Sequence, residues 1–201
     1  MHENNDITIG VLALQGDFEA HKKMLEERLG VFARLVRSPD ELEGIDGLIL
    51  PGGESTTIGK LMDRHGVDTA IRERAAAGMP IYGTCAGLIL MAKDIEGSDQ
   101  LRLGLMDIEV TRNAFGRQQE SFEANIPVPA IGEEPVRGVF IRAPYVSKSA
   151  PDVETLGRYK EKIVAVRQGN LLGSAFHPEL TDDCRLHGYF LKMVRRFTNG
   201  G

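Results

Sequence analysis

Four short apolar runs alternate with amphipathic stretches through the first half of this chain, and that alternation limits the available folds more than any other feature. Ile7–Leu14, Val31–Val36, Leu48–Gly53 and Pro80–Thr84 read as strands, the first and third as apolar as strands buried on both faces must be. Phe18–Leu29, Ile58–His65, Thr69–Ala77 and Ala86–Lys93 carry apolar residues at helical spacing. On the first of these, Phe18, His21, Met24, Leu25 and Leu29 fall near one face, with Asp17 placed to cap its start and Gly30 to end it. Strands and helices in this order predict an α/β arrangement, a parallel sheet with covering helices.

The second half changes character. Ile108–Arg112, Ser121–Ile126, Val136–Ile141, Val153–Tyr159, Ile163–Gln168 and Leu171–Phe176 read as strands separated by Gly, Pro and Asn turns. They are expected to complete the sheet and add a small antiparallel ribbon. A last helix is expected from Asp183 to Phe197, capped by Thr181 or Asp182 and ended by Asn199-Gly200-Gly201. With no repeat, linker or low-complexity tract, residues 1–201 suit a single domain.

Composition removes several function classes. Lys and Arg total 24 against 29 acidic residues, so the formal charge of −5 argues against a nucleic-acid binder. Cys85 and Cys184 are the only cysteines; they form no CxxC pair and are too few for a disulfide scaffold or a Cys-rich zinc site. There is no metal-ligand spacing, and no metal or cofactor is expected. No apolar run reaches the roughly 18 residues of a membrane span, and the opening MHENND lacks the apolar core of a secretory signal, so a cytoplasmic location away from membranes is expected. The 23 glycines exceed the usual share of about 7%, which directs attention to loops where backbone must come close to something.

One such loop is Gly83-Thr84-Cys85-Ala86-Gly87, between a strand and a helix. It has the form of a nucleophile elbow with Cys in place of Ser. The glycines make room for a sharp turn that lifts the thiol over the carboxyl ends of the strands, at a helix N-terminus that favours a thiolate. The plainer alternative is a small buried cysteine, the state of most free thiols. A nucleophile needs a base and an orienting group. Phe176-His177-Pro178-Glu179 follows an apolar strand, and proline holds His177 extended, so Glu179 falls on the same face and can fix the imidazole tautomer. The other histidines compete less well: His21, His65 and His187 lie on expected helices and His2 in the polar start. Pro51-Gly52-Gly53-Glu54-Ser55 ends the third strand, and its adjacent glycines can aim N–H groups at an oxyanion, with Gly53 and Ala86 as the two donors. A phosphate cradle is the competing use, without a Walker lysine. Arg112 and Arg142 sit at expected strand ends and match a substrate carboxylate. Gln15-Gly16 ends the first strand and is placed to set the oxyanion loop.

Taken together, LALQGDFEAH, PGGEST, GTCAGLI, RNAFGRQ, SFEA, GVFIRAP and FHPEL resemble the glutaminase subunit of pyridoxal 5′-phosphate synthase, a class I glutamine amidotransferase. GTCAG with HPE marks the wider amidotransferase group; RNAFGRQ and VFIRAP narrow it to this subunit. The resemblance implies a flavodoxin-like three-layer α/β fold, a mostly parallel central sheet with helices on both faces, and a Cys85–His177–Glu179 triad that hydrolyses L-glutamine through a thioester. It implies glutamine-binding roles for Gly52, Gly53, Glu54, Arg112, Ile141 and Arg142, with Glu54 suited to the substrate ammonium. The implied partner is a (β/α)₈-barrel synthase subunit, paired with the glutaminase as heterodimers within a larger ring assembly. That subunit takes the ammonia to make pyridoxal 5′-phosphate from ribose 5-phosphate and glyceraldehyde 3-phosphate. A Cys-elbow hydrolase or redox chaperone on a related α/β fold would have no role for Arg112, Arg142 or Glu179, and the intact Cys85, His177 and Glu179 argue against a binding module that kept the fold and lost activity.

Overall fold

The computed structural model of the chain describes residues 7–115 and 120–200. His2 with the polar start, residues 116–118 of the RNAFGRQ block, and Gly201 lie outside the described residues. In chain order the elements are β1 (Thr8–Leu12), α1 (Phe18–Lys23), β2 (Phe32–Val36), β3 (Gly47–Leu50), α2 (Ser55–His65), α3 (Val67–Ala76), β4 (Ile81–Thr84) and α4 (Ala86–Met91). There follow β5 (Ala92–Ile95), β6 (Met106–Thr111), β7 (Ser121–Ile126), β8 (Val136–Ile141), β9 (Tyr145–Ser149), β10 (Glu154–Tyr159), β11 (Lys162–Gln168), β12 (Leu171–Ser174) and α5 (Arg185–Gly200).

The main sheet runs β2-β1-β3-β4-β12-β11-β9-β6-β5, with β10 paired to β11. Its first five strands are mutually parallel. Counting β12 as the fifth strand, this is the 2-1-3-4-5 order of flavodoxin-like sheets, whose ligands bind beyond the strand carboxyl ends at the β1/β3 switch point. The rest is mixed: β11 is antiparallel to β12, β10 and β9, β9 is antiparallel to β6, and β5 runs parallel to β6. β3 and β4 are buried at every residue; β3 is apolar throughout, and in β4 the hydroxyls of Tyr82 and Thr84 find buried partners in Ser174 and His21.

The two helical layers can be read from neighbouring residues of β4. The Tyr82 ring touches His187 and Phe190 of α5, whereas a β-carbon at Gly83 would lie 2.5–2.6 Å from Gly87 and from Met91 of α4. Successive strand residues point to opposite faces, so α5 and α4 cover opposite sides. α1 joins α5 through a His21–His187 contact, and α2 packs on α3 and α4. The separate antiparallel ribbon β7–β8 is fastened by aromatics: Phe122 stacks on Phe140 at 4.6 Å, and Phe140 rests on Phe176 at 5.4 Å. That anchor suspends Ile141 and Arg142 beside the segment that leads from β12 to His177.

Several boundaries differ from the sequence reading. The first helix is α-helical only to Lys23 and widens to a π-helix over Met24–Arg28 before Gly30 closes it with φ of +63°. Asp17 precedes it but makes no side-chain cap, because its carboxylate turns toward His177. The fourth helix stops at Met91, and Ala92–Ile95 extends to pair with β6, so Lys93 belongs to a strand. β9 had no counterpart in the sequence reading. The last helix begins at Arg185, whose N–H is accepted by Asp183 Oδ1 at 3.0 Å; Thr181 and Asp182 do not cap it, and the helix runs on through Asn199 to Gly200.

Candidate active site

Cys85 stands between β4 and α4 with φ of 48° and ψ of −103°, a conformation rare for a non-glycine residue. It is held there from both sides: its N–H donates to the Ser174 carbonyl at 2.8 Å, and its carbonyl accepts the Ile89 N–H at 3.2 Å. Gly87 has no room for a side chain, since a β-carbon there would collide with the Leu50 carbonyl. The strained turn, enclosed by β3 and β12, presents the sulfur where the strands end. The thiol is nearly buried and points at the Ile141 carbonyl, 3.9 Å away.

His177 follows β12 with extended backbone, its N–H bonded to the Val139 carbonyl of β8 at 2.8 Å. Its Nδ1 lies 2.7 Å from Glu179 Oε1, and both residues are buried. The contact does not arise as the sequence suggested. Pro178–Leu180 is a turn of 3₁₀-helix, so the carboxylate curls back onto the imidazole instead of lying beside it on an extended chain. Burial disfavours the imidazolium, but hydrogen bonds to Cys85 and Glu179 outweigh it and raise the His177 pKa to about 10. Burial likewise pushes the Glu179 carboxyl above its ordinary range, opposed by the His177 hydrogen bond. A second carboxylate went unrecognised in the sequence: Asp17 Oδ2, half-exposed, lies 3.7 Å from the same Nδ1. Asp17, His177 and Glu179 are close enough to share a cation. The 2.7 Å His177–Glu179 separation is, however, that of a hydrogen bond between the two groups.

Cys85, His177 and Asp17 line a cleft of about 300 Å³ with Gln15, Glu54, Arg112 and Arg142, and Glu179 lies behind His177, outside the lining. Gln15 Oε1 accepts the Glu54 N–H at 2.9 Å, and the Gly52 carbonyl accepts the Asp17 N–H at 3.0 Å, so the loop after β1 holds the Gly52–Glu54 strip. Gly16 is needed there because a β-carbon would strike the Gly52 carbonyl. Ala86 opens α4, which leaves its N–H without an intrahelical acceptor. Arg112 Nη1 is steadied by Gln100 Oε1 at 2.6 Å, and Gln100 in turn donates to Ser55 Oγ at 3.0 Å. Arg142, at φ of 43°, pairs with Glu54 at 3.1 Å. Of the residues singled out from the sequence, Gln15, Gly16, Gly53, Glu54, Cys85, Arg112, Ile141, Arg142 and His177 line this cleft, whereas Gly52, Ala86 and Glu179 adjoin lining residues without lining it themselves. Cys184 stays apart as a partly buried free thiol.

Two histidines set aside in the sequence reading prove to be fully buried next to this cleft. His21 Nδ1 lies 2.9 Å from His187 Nε2, and His21 Nε2 lies 3.0 Å from Thr84 Oγ1 and 3.5 Å from Glu179 Oε1. Burial drives His21 well below its usual pKa, with His187 and His177 adding to the effect, and burial alone lowers His187 to about 4. Both are neutral at pH 7. The signal was present in part: His21 shares the apolar face of its helix with Met24 and Leu25.

Known proteins match this architecture along nearly its whole length. A crystal structure described as a glutamine amidotransferase superposes with a TM-score of 0.89 at 51% identity, covering 93% of this chain and 98% of that one. The pyridoxal 5′-phosphate synthase subunit PdxT of Moorella thermoacetica is 58% identical over 92% of this chain and 98% of its own length. That of Desulforamulus reducens is also 58% identical, over 94% and 100%. The sequence profile of the SNO glutamine amidotransferase family matches residues 11–196, and with the cysteine turn, the buried His–Glu pair and the fold all in agreement, the chain belongs to that family.

Proposed function

We propose that the chain is the glutaminase subunit of a pyridoxal 5′-phosphate synthase. The observation that carries this is the convergence of Cys85, His177 with Glu179 bonded behind it, and the oppositely charged Glu54 and Arg142 around one cleft. An α-amino acid head group carries an ammonium and a carboxylate on one carbon. Glu54 and Arg142, 3.1 Å apart, offer the matching opposite charges, with Arg112 as a second guanidinium. Docked there, glutamine extends its side-chain amide toward Cys85.

His177, which with a pKa of about 10 already holds the thiol's proton near pH 7, faces Cys85 as an imidazolium, and Cys85 Sγ attacks the amide carbon. The oxyanion is received by N–H groups of Gly53 and Ala86, donors that each typically contribute on the order of 10²–10³ in rate. His177 passes its proton to the departing nitrogen, which leaves as ammonia and a glutamyl thioester. Water, deprotonated by His177, then releases glutamate and restores the thiolate and imidazolium. Glu179 keeps Nδ1 protonated so that Nε2 is the nitrogen that works. Gln15 and Gly16 set the Gly52–Glu54 strip when the partner docks. Residues 1–201 act as one domain and need no metal or cofactor for this chemistry.

Ammonia released into water at neutral pH would mostly become ammonium, a poor nucleophile. The partner is accordingly a synthase subunit of (β/α)₈ form that receives ammonia through an enclosed route, the pairs assembling as heterodimers in a larger ring, in the cytoplasm. Among the described residues no helix is long and apolar enough to cross a membrane. The test is glutamate release from glutamine with and without the synthase subunit, for wild type and Cys85→Ala. Partner-stimulated release that vanishes in the variant is expected; release that survives Cys85→Ala, or activity on esters alone, overturns the reading.

A further inference from the structure

Glu179 is a buried carboxylate with an unusually thin set of donors. Its Oε1 faces His177 Nδ1, while its Oε2 is buried with no hydrogen-bond partner among the described residues. A carboxylate in that position loses its hydration and tends to take up a proton, which would leave it unable to hold an imidazolium. Its own backbone N–H also bonds the carboxylate, and among the described residues the other side-chain nitrogen within reach, besides His177, is His21 Nε2, at 3.5 Å from Oε1.

Which nitrogen of His21 carries its proton follows from the chain of contacts. If Nδ1 carries it, it donates to His187 Nε2; His187 must then hold its own proton on Nδ1, an atom that is buried without a partner. That arrangement buries an unpaired N–H and sets a bare His21 nitrogen against the Glu179 oxygen. If Nε2 carries it, His187 Nε2–H donates to His21 Nδ1, the partnerless His187 atom is merely a lone pair, and an N–H faces both Thr84 Oγ1 and Glu179 Oε1. The second pattern leaves the Thr84 hydroxyl proton without an acceptor among the described residues, but it alone meets the buried Glu179 carboxylate with a donor and not with a lone pair, and that contact decides between them. We infer that His21 is a positioning residue of the triad: its Nε2–H, fixed by His187, sits between the residue preceding Cys85 and the carboxylate behind His177, and keeps that carboxylate charged and in register with the nucleophile turn. The inference rests on the proposed triad and assigns it a support reaching through α1 to α5.

Two measurements test it. The first is partner-stimulated glutaminase of His21→Phe and His21→Gln. The Phe variant is expected to lose about ten- to a hundredfold in kcat, the scale seen when groups that orient a site residue are removed, with KM unchanged. The Gln variant, whose terminal amide nitrogen can occupy the Nε2 position, is expected to recover most of the loss. The second is NMR titration of His177 in the chain alone, where the Phe variant should deprotonate at a pH about one unit below wild type, a tenfold weaker hold on the imidazolium. A melting temperature can fall for packing reasons; the His177 midpoint responds to Glu179. Wild-type kcat and His177 titration in the Phe variant, or equal impairment of Phe and Gln variants, overturns the inference. Should the Phe variant not fold, His21→Asn takes its place, since its amide reaches only the Nδ1 position and must behave as Phe is expected to. If wild type itself proves inactive on glutamine, the functional proposal fails while the titration still decides the role of His21.

Discussion

Replacing Gly52 with alanine tests how closely the oxyanion strip and the triad are packed together. Gly52 does not use the left-handed backbone region, so alanine brings no conformational penalty of its own. Its added methyl would, however, lie 2.9 Å from His177 Nδ1 and 3.4 Å from Nε2, and closer still to Cε1 between them. Carbon contacts settle at about 3.5–4.0 Å, so the imidazole must retreat by roughly 1 Å. The 2.7 Å bond from Nδ1 to Glu179 would then lengthen beyond hydrogen-bonding range. A misplacement of about 1 Å at a reacting group costs on the order of 10² in rate, or about 2.7 kcal/mol of transition-state stabilisation. The substrate charges on Glu54, Arg112 and Arg142 are untouched, so the loss belongs in kcat and not in KM. The assay is steady-state glutamate release in the presence of the synthase subunit, with thermal unfolding to show that the fold persists. A Gly52→Ala protein with kcat within about threefold of wild type would mean that His177 has slack the geometry denies, and the argument would fail.

Three further outcomes are expected. Glu179→Gln keeps an acceptor for Nδ1 but removes the charge and buries an amide NH₂ where Oε2 had no partner, so kcat should fall on the order of 10³–10⁴ in the same assay, and a loss below tenfold would refute an orienting role. Arg142→Ala removes an exposed ion pair with Glu54 that contributes at most about 1 kcal/mol to stability, so melting should barely change while KM for glutamine rises about ten- to a hundredfold; an unchanged KM would remove Arg142 from substrate binding. His187 is held neutral in the fold with its pKa depressed to about 4, so its contribution is complete above pH 6.5 and is lost as pH falls toward 4, by at most about 3 kcal/mol. Urea unfolding between pH 7.5 and 4.5 should therefore lose stability more steeply in wild type than in His187→Phe, and identical slopes would show that His187 is not buried as a neutral group.

The parts of the site legible in the sequence are those whose geometry is written over a few adjacent residues. Gly83 and Gly87 bracket Cys85 because one turn needs both gaps, and the same five residues therefore mark the proposed nucleophile. His177 and Glu179 were found together for a similar reason, although the turn that joins them is 3₁₀ and not extended. Where the structure departs from expectation, a distant partner decides. Ala92 and Lys93 continue an apolar helix on paper, and only pairing with β6 makes Ala92–Ile95 a strand. Asp17 has the identity and position of a helix cap, but its carboxylate turns toward His177, which lies after β12. His21 could be placed on a buried face from the residues around it, whereas its hydrogen-bond partners, His187 and Thr84, lie on two other elements brought together only by the fold. The pattern has a physical basis. A nucleophile and its base can be positioned by local backbone strain, which short motifs encode. A buried charge such as Glu179 must instead collect donors from whatever packs around it, and those donors need share no segment of the chain. The support behind a triad is for that reason less visible in sequence than the triad, and it is where variants distant in sequence from Cys85 should alter catalysis without touching glutamine.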